Sequence, residues 1–197
     1  MDTLFAQALV PKTFRCMGRD LLPLSVGHHA LLDVLDSPFL SGQPVSRADL
    51  AVGVYVCSLP FREAQARLRD EKTAAAECRA WGRSAGRTFN PVRAAGQFRR
   101  YVQHYTRMPE LFASDQSGKV NAPLTFALLY ILQNTFNLTE EESWNLPLNE
   151  ALCRSATVQD MSGAADIMTD YDQLLGERAE ALQRRLDALL AKETAGG

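Results

Sequence analysis

An all-α fold is predicted for this chain by three observations. Apolar residues recur at helical spacing in several separate stretches, as in Leu31, Leu32 and Leu35 or in Phe98, Tyr101, Val102 and Tyr105. Helix punctuation sits at the ends of those stretches: Ser or Thr three residues before an acid, and proline at first-turn or stop positions. Strand signals are weak, since no segment joins sustained alternation to β-branched enrichment and an Asn-Gly or Asp-Gly turn. Together these predict an irregular helical domain of about seven or eight helices. The domain is expected over residues 1–160, with a C-terminal helical appendage over 161–197 that carries a coiled-coil-like helix. A chain of 197 residues, 46% hydrophobic and 22% charged, suffices to bury such a core.

The first helix is expected to start at Ser25 or Gly27 and to run to about Asp36, with Leu31, Leu32 and Leu35 as its apolar stripe. Ser37-Pro38 stops it, because the residue before proline is pushed out of helical geometry. Phe39 and Leu40 then fold back onto the helix pair. Ser46–Ser58 forms the second helix, opened by a capping-box variant, Ser46-Arg47-Ala48-Asp49, with Gly53 marking close packing or a weak point. Pro60 opens a mostly solvated helix over Arg62–Arg83, rich in Ala, Arg, Glu and Gln and ended by Gly82 and Gly86. Asn90-Pro91 turns the chain into Val92–Thr106, whose Phe98, Tyr101, Val102 and Tyr105 share one side. Pro109–Pro123 is the best internal loop. Leu124–Phe136 is apolar nearly all round and is expected at the centre of the core. Thr139 caps the acidic turn Glu140-Glu141-Glu142, favoured at a helix N-terminus by the dipole, and Pro147 begins Leu148–Ala156. In the last helix, Asp172–Lys192, Leu175, Ala179, Leu182, Leu186 and Leu189 alternate spacings of four and three. That seam of two to three heptads either docks on its own domain or serves a homo-oligomer through Leu175–Leu189.

The net charge of −2 hides an asymmetry. Residues 60–107 carry 11 basic and 4 acidic groups, net +7, whereas residues 108–197 carry 6 basic and 14 acidic groups, net −8. Internal pairing is the favoured reading of this contrast over attraction to an outside partner. Cys16, Cys57, Cys78 and Cys153 are scattered without CxxC spacing, which fits free buried thiols better than disulfides or zinc. No apolar run is long enough to span a bilayer, and the N-terminus lacks a basic n-region and a small-residue cleavage site. A cytoplasmic protein with no membrane partner is expected.

Chemistry-bearing patterns are sparse. His29 and Asp33 stand one helical turn apart beside His28, a two-ligand clip to which the spacing adds no third ligand, so no metal is expected. GxSxG, HExxH, Walker A and GxGxxG are all missing. The Glu140–Glu142 carboxylates read as a solvated helix start. No catalytic residue and no cofactor are expected. The basic stretch is the main rival: Arg79, Arg83, Arg87, Arg93, Arg99, Arg100 and Arg107 interleave with Trp81, Phe89, Phe98, Tyr101 and Tyr105, a pattern that suits phosphate contacts with base stacking. An acidic pI of about 5.9 and the core-like spacing of those aromatics weigh against nucleic acid.

Two segments carry a family resemblance. One is Leu22-Pro23-Leu24-Ser25-x-Gly27-His28, then Leu31-Leu32-x-x-Leu35, Ser37-Pro38-Phe39, Asp49-Leu50-Ala51 and Val54-Tyr55-Val56-Cys57-Ser58. The other is Glu142-Ser143-Trp144-x-Leu146-Pro147-Leu148-x-x-Ala151. In these the chain resembles phage tail assembly chaperones and related small tail-gene proteins, over about a third of its length. The resemblance implies a non-enzymatic helical binder that coats the apolar tape-measure protein until tail-tube subunits polymerise around it. It implies a protein partner gripped through apolar side chains, with Leu31, Leu35, Phe39, Val54, Tyr55 and Trp144 as candidates. A permanent structural component of a tail or capsid is the alternative within the same setting.

Overall fold

The computed structural model describes residues 12–84, 90–109, 111–113, 122–168 and 170–195, together with positions 6, 8 and 10. Within them the chain is mostly helical, as the sequence predicts. The elements run β1 (Phe14–Cys16), β2 (Arg19–Leu21), α1 (Val26–Val34), α2 (Pro38–Ser41), α3 (Arg47–Cys57), α4 (Phe61–Leu68), α5 (Glu71–Ser84), α6 (Pro91–Thr106), β3 (Leu111–Ala113), α7 (Leu124–Asn134), α8 (Glu140–Asn145), α9 (Leu148–Met161), β4 (Ala165–Ile167) and α10 (Asp170–Ala195). Among the described residues ten helices stand where seven or eight are expected of the chain. Phe39 and Leu40 sit in the short helix α2, and the expected helix over Arg62–Arg83 breaks in two. The break falls at Asp70, whose Oδ1 accepts from the Thr73 backbone N–H at 3.2 Å and so satisfies an orphan donor of α5. Gly82 lies inside α5 and does not end it; Gly86 is outside the described residues.

Two small sheets accompany the helices. β1 and β2 form a hairpin in the register Phe14–Leu21, Arg15–Asp20 and Cys16–Arg19. Met17 and Gly18, at φ 51° and 78°, make its two-residue turn; both take the left-handed values that match strand twist. Three-residue strands are too short to show alternation, and a Met-Gly turn lacks the usual wording, so the sequence does not announce this hairpin. β3 pairs antiparallel with β4, Leu111 opposite Ile167. The expected loop Pro109–Pro123 therefore contains a strand, and the start of the 161–197 segment is hydrogen-bonded to it; residues 114–121 are outside the described set.

An extended strap, residues 22–25, leads into α1 and laces the core together. Leu22 N–H donates to Cys57 O (2.9 Å), Val26 N–H to Leu146 O (3.0 Å), and Leu148 N–H to Leu24 O (2.8 Å). The end of α3 and the α8–α9 junction are thus tied to the start of α1. α3 runs through the middle of the molecule, with Leu50, Val54, Tyr55, Val56 and Cys57 buried. Two glycines permit the closest helix approaches. A Cβ on Gly27 would lie 2.5 Å from the Phe61 ring, and one on Gly53 would lie 2.9 Å from the Phe98 ring. Gly53 thus marks close packing.

α6 presents Ala94, Phe98, Tyr101, Val102 and Tyr105 inward, as its periodicity predicts. Phe98 meets Phe39 edge-on with ring centroids 4.6 Å apart, and Tyr101 donates its hydroxyl to Leu22 O at 2.8 Å. Charge contrast is partly satisfied inside the chain: Arg62 bridges to Glu140 at 3.3 Å and Glu141 at 2.8 Å. No helix among the described residues is long and apolar enough to cross a membrane.

Candidate functional site

The six side chains expected to grip a partner divide sharply. Phe39, Val54 and Tyr55 are buried in the core, which corrects their assignment as a docking surface. Their helices are covered on more than one side, so their apolar area is already spent within the chain. Tyr55 further donates its hydroxyl to Glu77, whose carboxylate also takes Arg67 at 2.9 Å. Leu31 and Trp144 are partly buried against the core, Trp144 stacking on Phe61 at a centroid distance of 5.2 Å. Leu35, at the end of α1, is 40% exposed and alone of the six presents an open apolar surface.

The histidine pair is built into the frame. Ser25 is the N-cap of α1, and His28 closes a capping box with it: Nδ1 accepts from the Ser25 N–H at 3.4 Å and lies 3.0 Å from Ser25 Oγ. Nε2 donates to the Leu59 carbonyl at 2.8 Å, which fixes the neutral tautomer. Both nitrogens are therefore committed to structure. Burial pushes the His28 imidazole below its ordinary value, opposed by the Leu59 hydrogen bond. His29 is also lowered by burial, with the Asp33 charge opposing. Among the described residues no group of three His, Cys, Asp or Glu is placed to hold a metal ion. The four cysteines are buried and form no disulfide. Burial pushes the Cys16 thiol up to about 11 and the Cys57 thiol up to about 12, so neither is a ready nucleophile.

Nor do the described residues of the basic stretch form the surface its wording offers. Arg79, Arg93, Arg99, Arg100 and Arg107 are exposed, but Phe98, Tyr101 and Tyr105 are buried and cannot stack on bases. Trp81 is half-buried with the Arg19 guanidinium 4.7 Å above its ring. Phe89 and Arg87, and the side chain of Arg83, lie outside the described residues.

Two apolar features do stand open, and neither is picked out by sequence pattern. The first is the outer face of α7. Thr125, Leu128, Leu129 and Leu132 face the core, leaving Leu124 49%, Phe126 63% and Tyr130 70% exposed. The expectation that Leu124–Phe136 lies at the centre of the core is thus corrected: only one side is covered. The second is a groove of about 570 Å³ between α3 and α5, floored by small apolar side chains and edged by Arg47 and Arg79. In the C-terminal helix, Leu175 and Leu182 of the expected seam are exposed, and every described side chain from 175 to 185 is open. The Leu186 and Leu189 side chains lie outside the described set. No protein-family model, curated protein or solved structure matches the chain.

Proposed function

We propose that this chain is a non-enzymatic assembly chaperone of the phage-tail type, holding the tape-measure protein in the cytoplasm of the host cell during tail morphogenesis. The observation that carries the reading is the outer side of α7, where Phe126 and Tyr130 stand in solvent on a helix whose other side is core. Two aromatics one turn apart are the anchors with which a helix face grips an apolar helix of another polypeptide. A helical, apolar client such as a tape-measure protein supplies the complementary surface, and the resemblance in residues 22–58 and 142–151 points to the same client.

The test is co-expression with the tape-measure protein of the genome that encodes the chain. The client is expected to become soluble and to co-purify with the wild-type chain, and to be lost when Phe126→Ser and Tyr130→Ser are combined. A client that stays insoluble, or a complex indifferent to both substitutions, contradicts the proposal.

A further inference from the structure

We infer that the solvent face of α6 is a second interaction surface, which takes a helical segment of another protein with carboxylates along one side. The inference goes beyond the chaperone reading and shares no residue with the α7 face. Residues 91–109 contain four arginines and no Asp or Glu. Arg93, Arg99, Arg100 and Arg107 are all exposed, and among the described residues no ion pair or hydrogen bond engages any of their guanidiniums. The elements packed most closely on α6 are β1, α2, α3 and α9. Their carboxylates, and that of β2 beside β1, are turned to partners of their own. Asp20 pairs with Arg15 at 3.6 Å and Glu150 with Arg154 at 2.7 Å. Asp49 accepts from the Ser46 N–H at 2.8 Å, and Asp160 from the Ile167 N–H at 3.3 Å. The positive surplus of residues 60–107 is thus left open on this face.

Two positions on this face gain nothing from the fold itself. Arg93 stands in the first turn of α6, where a cation opposes the helix dipole. Gly96 lies one turn on, in a helix interior where glycine is costly, yet an added Cβ would meet only the Arg100 guanidinium, at 4.0 Å. A glycine among arginines lets a partner's backbone come close while the guanidiniums reach its carboxylates. The period of the face suits a helix. Arg93 and Arg100 are two turns apart, about 10.5 Å along the axis, which is the spacing of carboxylates at i and i+7 on a helix laid alongside. Nucleic acid fits less well. Phe98, Tyr101 and Tyr105 are buried and cannot stack on bases. Val92, 80% exposed, and Met108, 47% exposed, bracket the arginines with apolar surface that phosphates leave uncovered.

The probe is a synthetic helical peptide of three heptads with Glu along one stripe of an Ala background, compared with its Gln-for-Glu twin by fluorescence anisotropy on the full chain at low salt. The Glu peptide is expected to bind about tenfold tighter than the Gln peptide, as three exposed ion pairs predict, with the gap closing as salt rises. Arg93→Glu combined with Arg100→Glu should abolish the gap. Both positions are exposed, and an acid at position 93 suits the helix dipole, so the fold is kept. Gly96→Leu, which leaves every charge in place, should weaken the Glu peptide several-fold by filling the point of close approach. Phe126→Ser should leave peptide binding unchanged. Equal binding of the twins, a gap that survives the paired substitutions, or indifference to Gly96→Leu would overturn the site. A DNA duplex bound more tightly than the Glu peptide at physiological salt would overturn it as well. Glu-peptide binding lost in Phe126→Ser but kept in the α6 variants would move the contact to α7, overturning this site and leaving the chaperone reading standing.

Discussion

Helices α6 and α7 help build the same core, yet they treat water differently. Past its first turn, where Val92 is exposed, α6 divides by polarity: its inward positions are aromatic or aliphatic, while Arg93, Arg99, Arg100 and Gln103 face solvent. α7 has almost no polar residues to divide, so once Leu128, Leu129 and Leu132 are buried, Phe126 and Tyr130 are left outside. A helix with one apolar face is complete when its domain folds. A helix with two still has a face to cover, and on the function proposed above that face is the binding surface.

The largest effect should come from breaking the scaffold side of that contrast. Phe98→Ala removes a fully buried ring packed against Phe39, Tyr101 and Gly53, and should lower unfolding free energy by about 3–5 kcal/mol in urea titration. Phe126→Ser, an aromatic deletion on α7, should change it by no more than about 0.5 kcal/mol. Similar losses at the two sites would erase the contrast. Glycine substitutions sharpen it next. Gly53→Ala should destabilise by about 1–3 kcal/mol, because the added methyl meets the Phe98 ring at 2.9 Å. Gly96→Ala, in α6 with nothing nearer than Arg100 at 4.0 Å, should stabilise by about 0.5–1 kcal/mol through helix propensity. The same chemical change thus takes opposite signs on the core and on the solvated side.

The smallest effect is a pH dependence confined to the frame. His28, His29 and His104 are each held below the ordinary histidine value of 6.5, in every case chiefly by burial. The unfolded chain therefore takes up protons at higher pH than the folded one. The stability of the neutral folded forms is full above that value and is lost as pH falls below it. Protonating His28 at Nδ1 would also set a donor against the Ser25 N–H. The urea midpoint should fall between pH 7 and pH 5, and less steeply in His28→Gln. A flat profile in that window would mean the imidazoles are not constrained as the hydrogen bonds require.

Helix existence and most boundaries were legible from punctuation. Ser46 and Thr139 cap where their spacing places them, and Ser25 and Asn90 cap as well, each through a side-chain oxygen that accepts a backbone N–H. Asp70 does the same work and was hidden within a run of good helix formers. The hairpin at Met17-Gly18 and the β3–β4 pair were illegible because three-residue strands carry too little pattern. The candidate sites were the least readable part. An apolar stretch such as LTFALLYIL has no polar side to orient it, so the sequence cannot say which apolar residues are left outside. Val54 and Tyr55 could not be told from surface grip residues, because burial of α3 on several sides depends on partners brought from residues 61–106. The groove is floored by small side chains, which have no signature until two helices are placed side by side.

The central claim is that the open face of α7, and not the scaffold face of α6, meets the client. Backbone hydrogen exchange of the full chain, alone and bound to the tape-measure protein, tests it most directly. Slower exchange on binding is expected over residues 124–134, with little change over 91–106. A complex that forms while exchange over 124–134 is unaltered would contradict it.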